Sequence, residues 1–266
     1  ALLLPGTYDV QVTASDGCVG AGSIEVTAPD PLSAEPFLSS PSCPGLSDGT
    51  VGVVAEGGTP EYSVEWTLAD GSVSEGTFLN GVTAGTFAYA LEDANGCAAS
   101  GTVTLEDPEP LSASVSIEMP LCAEGPLSET GSVEATVNGG LSPYSAVWVD
   151  AASAQVVATG LSAANLVSGA YGLGVMDMLG CILDTIVVLE SPGPLLLDVA
   201  VTPPLCAGEN NGSAAAAVTG GTPGYTFVWS GGAAPSLGPD LDGMAPGLYA
   251  VEVTDENGCQ ASEDVV

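Results

Sequence analysis

Along most of the chain, apolar and polar residues alternate in short runs. Tyr8, Val10 and Val12 share one face of GTYDVQVT, Tyr62, Val64 and Trp66 share one face of YSVEWT, and Tyr225, Phe227 and Trp229 share one face of YTFVWS. A period of two belongs to a strand with one face buried. Gly, Pro, Asn and Asp punctuate the runs and set up tight turns between them. The pattern predicts an all-β protein of short strands with its aromatic faces turned to the core.

Two phrases recur. GGTPEYSVEW (Gly57–Trp66), GGLSPYSAVW (Gly139–Trp148) and GGTPGYTFVW (Gly220–Trp229) place the three tryptophans 82 and 81 residues apart. The second phrase occurs four times, from Gly6, Gly85, Gly169 and Gly247, each 12 residues before a cysteine. Self-similarity at this period is the signature of a tandem array. Boundaries fall at Pro31-Leu32, Pro110-Leu111 and Pro194-Leu195. They divide the chain into a partial repeat of two strands (1–32) and three full repeats (33–111, 112–195 and 196–266). Each full unit reads as a first strand, a cysteine, a Gly-Gly hairpin turn, the Trp strand, one or two short strands, the Tyr strand and a last strand. Leu79 to Phe87 and Met244 to Tyr249 resemble the tyrosine corner of immunoglobulin-like sandwiches. The expected fold is a set of immunoglobulin-like β-sandwiches of six or seven strands arranged end to end. Its expected core comprises Trp66, Trp148, Trp229, Tyr62, Tyr144, Tyr225, Tyr8, Phe87, Tyr171 and Tyr249. A competing role for the tryptophans is as exposed platforms that stack on sugars, in a carbohydrate-binding module.

Composition narrows the function. The 266 residues contain no Lys, Arg or His against 33 Asp and Glu, a net charge of −33. No side chain can neutralise a phosphate, which excludes nucleic acid as a direct partner. The His base of Ser and Cys hydrolases, the Lys of Schiff-base and P-loop chemistry and the Arg of anion clamps are all missing. Carboxylate pairs can hydrolyse glycosides without a cation, but no signature singles out such a pair. No enzymatic activity is expected. Lys–Asn isopeptide crosslinks are equally impossible, and trypsin-like proteases have no site. The aliphatic runs fall far short of the roughly 18 residues of a membrane helix. ALLLPGTYDV lacks a basic segment and leads straight into a repeat, so it is read as the inside of a repeat and the chain as a fragment. Asn211-Gly212-Ser213 fits an N-glycosylation acceptor and Asp184-Thr185-Ile186 resembles a bacterial O-glycosylation acceptor.

The seven cysteines fall two per full repeat plus one in the partial repeat, which points to an oxidising, extracellular setting. Pairing within units gives Cys43–Cys97, Cys122–Cys181 and Cys206–Cys259 and leaves Cys18 to a partner outside the fragment. Pairing across linkers gives Cys18–Cys43, Cys97–Cys122 and Cys181–Cys206. In a strict immunoglobulin-like topology the within-unit cysteines lie at opposite ends, so a third scheme joins the base of one domain to the top of the next. The absence of His and of C-x-x-C spacing argues against zinc. Asp93, Asn95, Asp255 and Asn257 are weak calcium candidates in acidic turns, although the full ligand spacing is absent. No other cofactor is indicated.

The assembled landmarks, C-x-G-x-x-x-G-S, then GGTPGYTFVW, then APGLYAVEVTDENGC, resemble the SprB-type repeat of gliding-motility adhesins in the Bacteroidota. The resemblance covers nearly the whole chain; the middle copy, with LSPY and DMLG, departs most. It implies a long secreted protein of the cell surface, exported by the type IX system and used in attachment or gliding. The partners it implies are neighbouring repeats, other copies of the chain, and a surface polysaccharide or substratum. The alternative is a subunit of an extracellular filament or surface layer.

Overall fold

The computed structural model describes residues 3–206, 208–232 and 236–266. Ala1 and Leu2, where the expected partial repeat begins, and Ala207, Ala233, Ala234 and Pro235 of the expected third repeat lie outside the described residues. Every regular element among the described residues is a β-strand, and none is a helix that could cross a membrane. The chain forms two compact units, residues 1–110 and 111–266.

The first unit opens with a hairpin, β1 (Gly6–Thr13) and β2 (Val19–Val26), paired from Gly6↔Val26 to Thr13↔Val19. Seven strands follow: β3 (Ser33–Ser39), β4 (Gly49–Glu56), β5 (Ser63–Thr67), β6 (Val73–Glu75), β7 (Phe78–Val82), β8 (Gly85–Glu92) and β9 (Ala98–Leu105). They make a three-stranded sheet, β3-β4-β7, and a four-stranded sheet, β6-β5-β8-β9. All pairings are antiparallel, and the chain order across the two sheets is that of an immunoglobulin-like sandwich.

The second unit repeats this plan twice. Its first sandwich contains β10 (Ser112–Glu118), β11 (Gly131–Asn138), β12 (Ser145–Asp150), β13 (Val156–Thr159), β14 (Ser162–Leu166), β15 (Gly169–Met176) and β16 (Ile182–Leu189). Its second contains β17 (Leu196–Thr202), β18 (Gly212–Thr219), β19 (Thr226–Ser230), β20 (Ser236–Leu237), β21 (Asp240–Met244), β22 (Tyr249–Thr254) and β23 (Gln260–Val265). The sheets are β10-β11-β14 with β13-β12-β15-β16, and β17-β18-β21 with β20-β19-β22-β23.

The alternation in sequence is the alternation of burial. Trp66, Trp148 and Trp229 are at most 1% exposed and sit at the centre of three separate cores. That burial removes the sugar-stacking platform, because no ring face reaches solvent. Phe87, Tyr171 and Tyr249 are buried beside them, while Tyr62, Tyr144 and Tyr225 are half-buried at the rim. Tyr8 departs from expectation: it is only half-buried, and Val10, Val12 and Ile24 of its hairpin are exposed, because two strands supply no second sheet to cover them.

The Gly-Gly turn is not the hairpin turn expected of it. β4 pairs with β3 and β7, whereas β5 pairs with β6 and β8, so the turn carries the chain from one sheet to the other. Both glycines have positive φ, 68° and 60° at Gly57 and Gly58, a conformation that side chains disfavour. A Cβ on Gly57 would also strike the Pro31 carbonyl, and one on Gly220 the Pro194 carbonyl. The tyrosine five residues after the first glycine fixes the turn: Tyr62, Tyr144 and Tyr225 each donate through the hydroxyl to that glycine's carbonyl, at 2.7, 2.8 and 2.7 Å.

Candidate functional site

The most elaborate polar construction in each sandwich lies at the end where the chain enters. There the Gly-Gly turn, the turn before the last strand and the incoming linker meet on one aspartate, four residues before each turn cysteine. Asp93 accepts Thr59 N on Oδ2 (2.9 Å) and Asn95 N and Cys97 N on Oδ1 (2.9 and 2.8 Å). Asp177 accepts Leu141 N on Oδ2 and Leu179 N and Cys181 N on Oδ1, all at 2.9 Å. Asp255 accepts Thr222 N on Oδ2 and Cys259 N on Oδ1, both at 2.8 Å. The linker is tied in by the second glycine: Gly58 N donates to Asp30 O and Gly221 N to Gly193 O.

These are the three buried carboxylates of the described residues, at 4–5% exposure. In a chain without cations, backbone N–H groups supply the compensation that a buried carboxylate requires. Thr59 N–H, followed by Cys97 N–H, holds the Asp93 carboxyl below its ordinary range, and Leu141 N–H does the same for Asp177. The Asp93 charge in turn pushes the Cys97 thiol up.

The weak calcium candidates Asp93, Asn95, Asp255 and Asn257 all take part in this bracing. Both carboxylate oxygens of Asp93 and Asp255 point inward onto N–H donors, and the side-chain amides of Asn95 and Asn257 donate to Thr59 Oγ1 (2.7 Å) and Thr222 Oγ1 (2.9 Å). The four residues brace the turns. Among the described residues, no three acidic or cysteine side chains gather as a metal set. Asp177 was missed in the sequence because its DMLG turn departs from the others. The recoverable signal was the constant aspartate four residues before Cys97, Cys181 and Cys259.

The braced turn aims its cysteine at the neighbouring sandwich. Cys122, in the loop after β10, is disulfide-bonded to Cys259, in the turn before β23, 137 residues away. Neither Cys122–Cys181 nor Cys206–Cys259 therefore forms. Cys18, Cys97 and Cys206 are exposed free thiols, which removes Cys43–Cys97 and the linker-crossing scheme as well. The physical reason is strand length. Glu190 N donates to Met119 Sδ (3.2 Å), which puts the Cys122 loop at the far end of β16, whereas Cys181 precedes its near end. Eight strand residues span about 27 Å, several times the reach of a disulfide. Bonding across the joint is the base-to-top scheme, and closing so long a loop is worth about 4–5 kcal/mol in the chain-entropy account.

Asn257 supports the same joint, donating through Nδ2 to Leu121 O (3.0 Å) on the neighbouring loop as well as to Thr222 Oγ1. The loop is held in shape by Leu121 N to Thr130 Oγ1 and Thr130 Oγ1 to Leu127 O. Its Leu127 side chain lies against Gly258, the residue beside Cys259.

A chain of immunoglobulin-like sandwiches, each braced at one end by an aspartate and stapled to its neighbour in the second unit, defines a tandem structural repeat. The family model for the SprB repeat matches residues 199–234, so the third sandwich carries an SprB-type repeat. No curated protein matches the chain. Among solved structures, the N-terminal eight Ig domains of Down Syndrome Cell Adhesion Molecule isoform 1.30.30 align over 98% of the chain at 13% identity and a TM-score of 0.40. This chain spans 39% of that one. A tetra-tandem repeat from the extending region of a large adhesion protein aligns over 99% of this chain and 82% of its own, at 14% identity and a TM-score of 0.28. Extracellular domains 3–5 of Drosophila OTK align over 87% and 91%, at 13% identity and a TM-score of 0.26.

Proposed function

We propose that the chain is part of the stalk of a long, non-enzymatic adhesin displayed on the cell surface, where it serves attachment or gliding. The observation that supports this most is the Cys122–Cys259 joint. A protein whose repeated polar residues brace a turn, and whose braced turn bonds the preceding domain, is organised to hold domains in line. A disulfide at that joint suits an oxidising, extracellular compartment. The SprB-type repeat supports export by the type IX system and a place in gliding as parts of this proposal. The acidic faces keep neighbouring stalks apart by repulsion and recruit divalent cations only as loose counter-ions.

The test is the mass of the native polypeptide under reducing, denaturing conditions, combined with antibody labelling of intact cells. A surface-labelled band of several hundred kilodaltons is expected. One observation favours a second reading, a filament subunit: the β1–β2 hairpin leaves Val10, Val12 and Ile24 exposed, an apolar face that a second chain would cover. A native band near 26.0 kDa would establish that reading and overturn the stalk.

A further inference from the structure

The Cys122–Cys259 bond joins the loop after the first strand of one sandwich to the turn before the last strand of the next. Strands β11 to β22, with Trp148, Trp229 and the linker between the sandwiches, all lie inside the covalent loop that it closes. We propose that this bond is a force shunt: tension across residues 112–266 passes along β10, through the disulfide and out along β23, bypassing strands β11 to β22. Its purpose rests on the stalk reading, since only a loaded chain needs it.

The mechanics follow from connectivity. Without the bond, load entering at Ser112 must peel β10 from β11, a ladder running from Ser112↔Asn138 to Glu118↔Ser132, and then travel the whole backbone to reach β23. Each strand removed exposes a tryptophan-centred core, and unfolding proceeds one sandwich after the other. With the bond in place, the separation of Cys122 and Cys259 is fixed, so loss of non-covalent structure inside the loop cannot lengthen the span between them. Only the short segments outside the loop, Ser112 to Cys122 and Cys259 to Val266, remain extensible. The contacts around the bond keep it on the load path. Asn257 grips Leu121 O from the turn side, and the loop folds back on itself through Thr130, so loop and turn move as one body.

The absence of lysine provides the experiment. Ser112→Lys and Val266→Lys, both at exposed positions, place the chain's two side-chain amines at the ends of the second unit, and acetylation blocks the N-terminal amine. Optical-tweezer handles coupled there pull directly across the joint in the full chain. The oxidised protein is expected to give no extension from the residues between the cysteines. Adding reductant to the same folded molecule releases a separation of 137 residues, and at ~3.6 Å per residue that is about 490 Å of new contour length. Cys122→Ser should show this length without reductant, and Cys259→Ser serves if the first variant does not fold. Equal contour lengths before and after reduction would overturn the shunt. That result would leave the stalk reading standing, whereas a native mass near 26.0 kDa would sink the stalk reading and leave the shunt intact.

Discussion

Replacing each tryptophan in turn by phenylalanine tests the account of the three cores, because the same ring is deleted from three nearly equivalent sites with one polar difference. Trp66 Nε1 donates to Gly76 O at 2.8 Å and Trp229 Nε1 to Gly238 O at 3.0 Å. Trp148 Nε1 is buried without a partner among the described residues. The cause lies in the connection after the Trp strand. There the β12–β13 register shifts between Trp148 and Val149, a shift absent from the β5–β6 pairing, and carries the matching carbonyl away. Loss of ring volume is common to all three variants and cancels on comparison. Trp66→Phe and Trp229→Phe each also lose a hydrogen bond worth about 1 kcal/mol and strand a carbonyl, whereas Trp148→Phe removes an N–H whose burial already costs about 1 kcal/mol or more. The expected separation is therefore about 2 kcal/mol, with Trp148→Phe the mildest. Urea unfolding followed by hydrogen exchange, read on pepsin peptides because trypsin has no site, assigns each loss to its own sandwich. Equal losses in the three, or the largest at Trp148, would refute the role given to the indole N–H.

Three further outcomes are expected. Tyr249→Phe removes a hydroxyl that both accepts from Ala245 N (3.1 Å) and donates to Ala245 O (3.2 Å), whereas Tyr171→Phe removes a single bond to Val167 O (3.0 Å). Thermal unfolding should show the larger loss for Tyr249→Phe, about 1–2 kcal/mol. Gly220→Ala combines a φ of 75° with a Cβ driven into the Pro194 carbonyl, so the third sandwich should lose several kcal/mol and its circular-dichroism signal should melt separately. Acidification should loosen the braced turns. The folded carboxyls of Asp93 and Asp177 lie below the ordinary value of 3.8, so their stabilisation is complete above it and is lost as pH falls through 3.8 towards the folded values. Asp177→Asn should weaken the second sandwich at pH 7 and flatten its pH dependence in that window; an unchanged slope would refute the brace.

The sequence by itself determined the strands, their repetition and the identity of the core. A period of two and a buried face are the same fact, so Trp66, Trp148, Trp229, Tyr171 and Tyr249 could be placed inside from alternation alone. Composition also settled what chemistry is out of reach, because a missing side-chain type is missing in every conformation. What only the tertiary structure decided were the relations between turns. The aspartates at 93, 177 and 255 look like ordinary turn residues in sequence, and become braces because the crossing of the Gly-Gly turn between sheets brings Thr59, Leu141 and Thr222 to their carboxylates. The disulfide is the clearest case. Spacing along the chain is nearly constant for every pairing scheme, so it cannot choose among them. The choice was made by an eight-residue strand that holds Cys122 and Cys181 at opposite ends of one sandwich and by a joint that brings Cys259 of the next within reach.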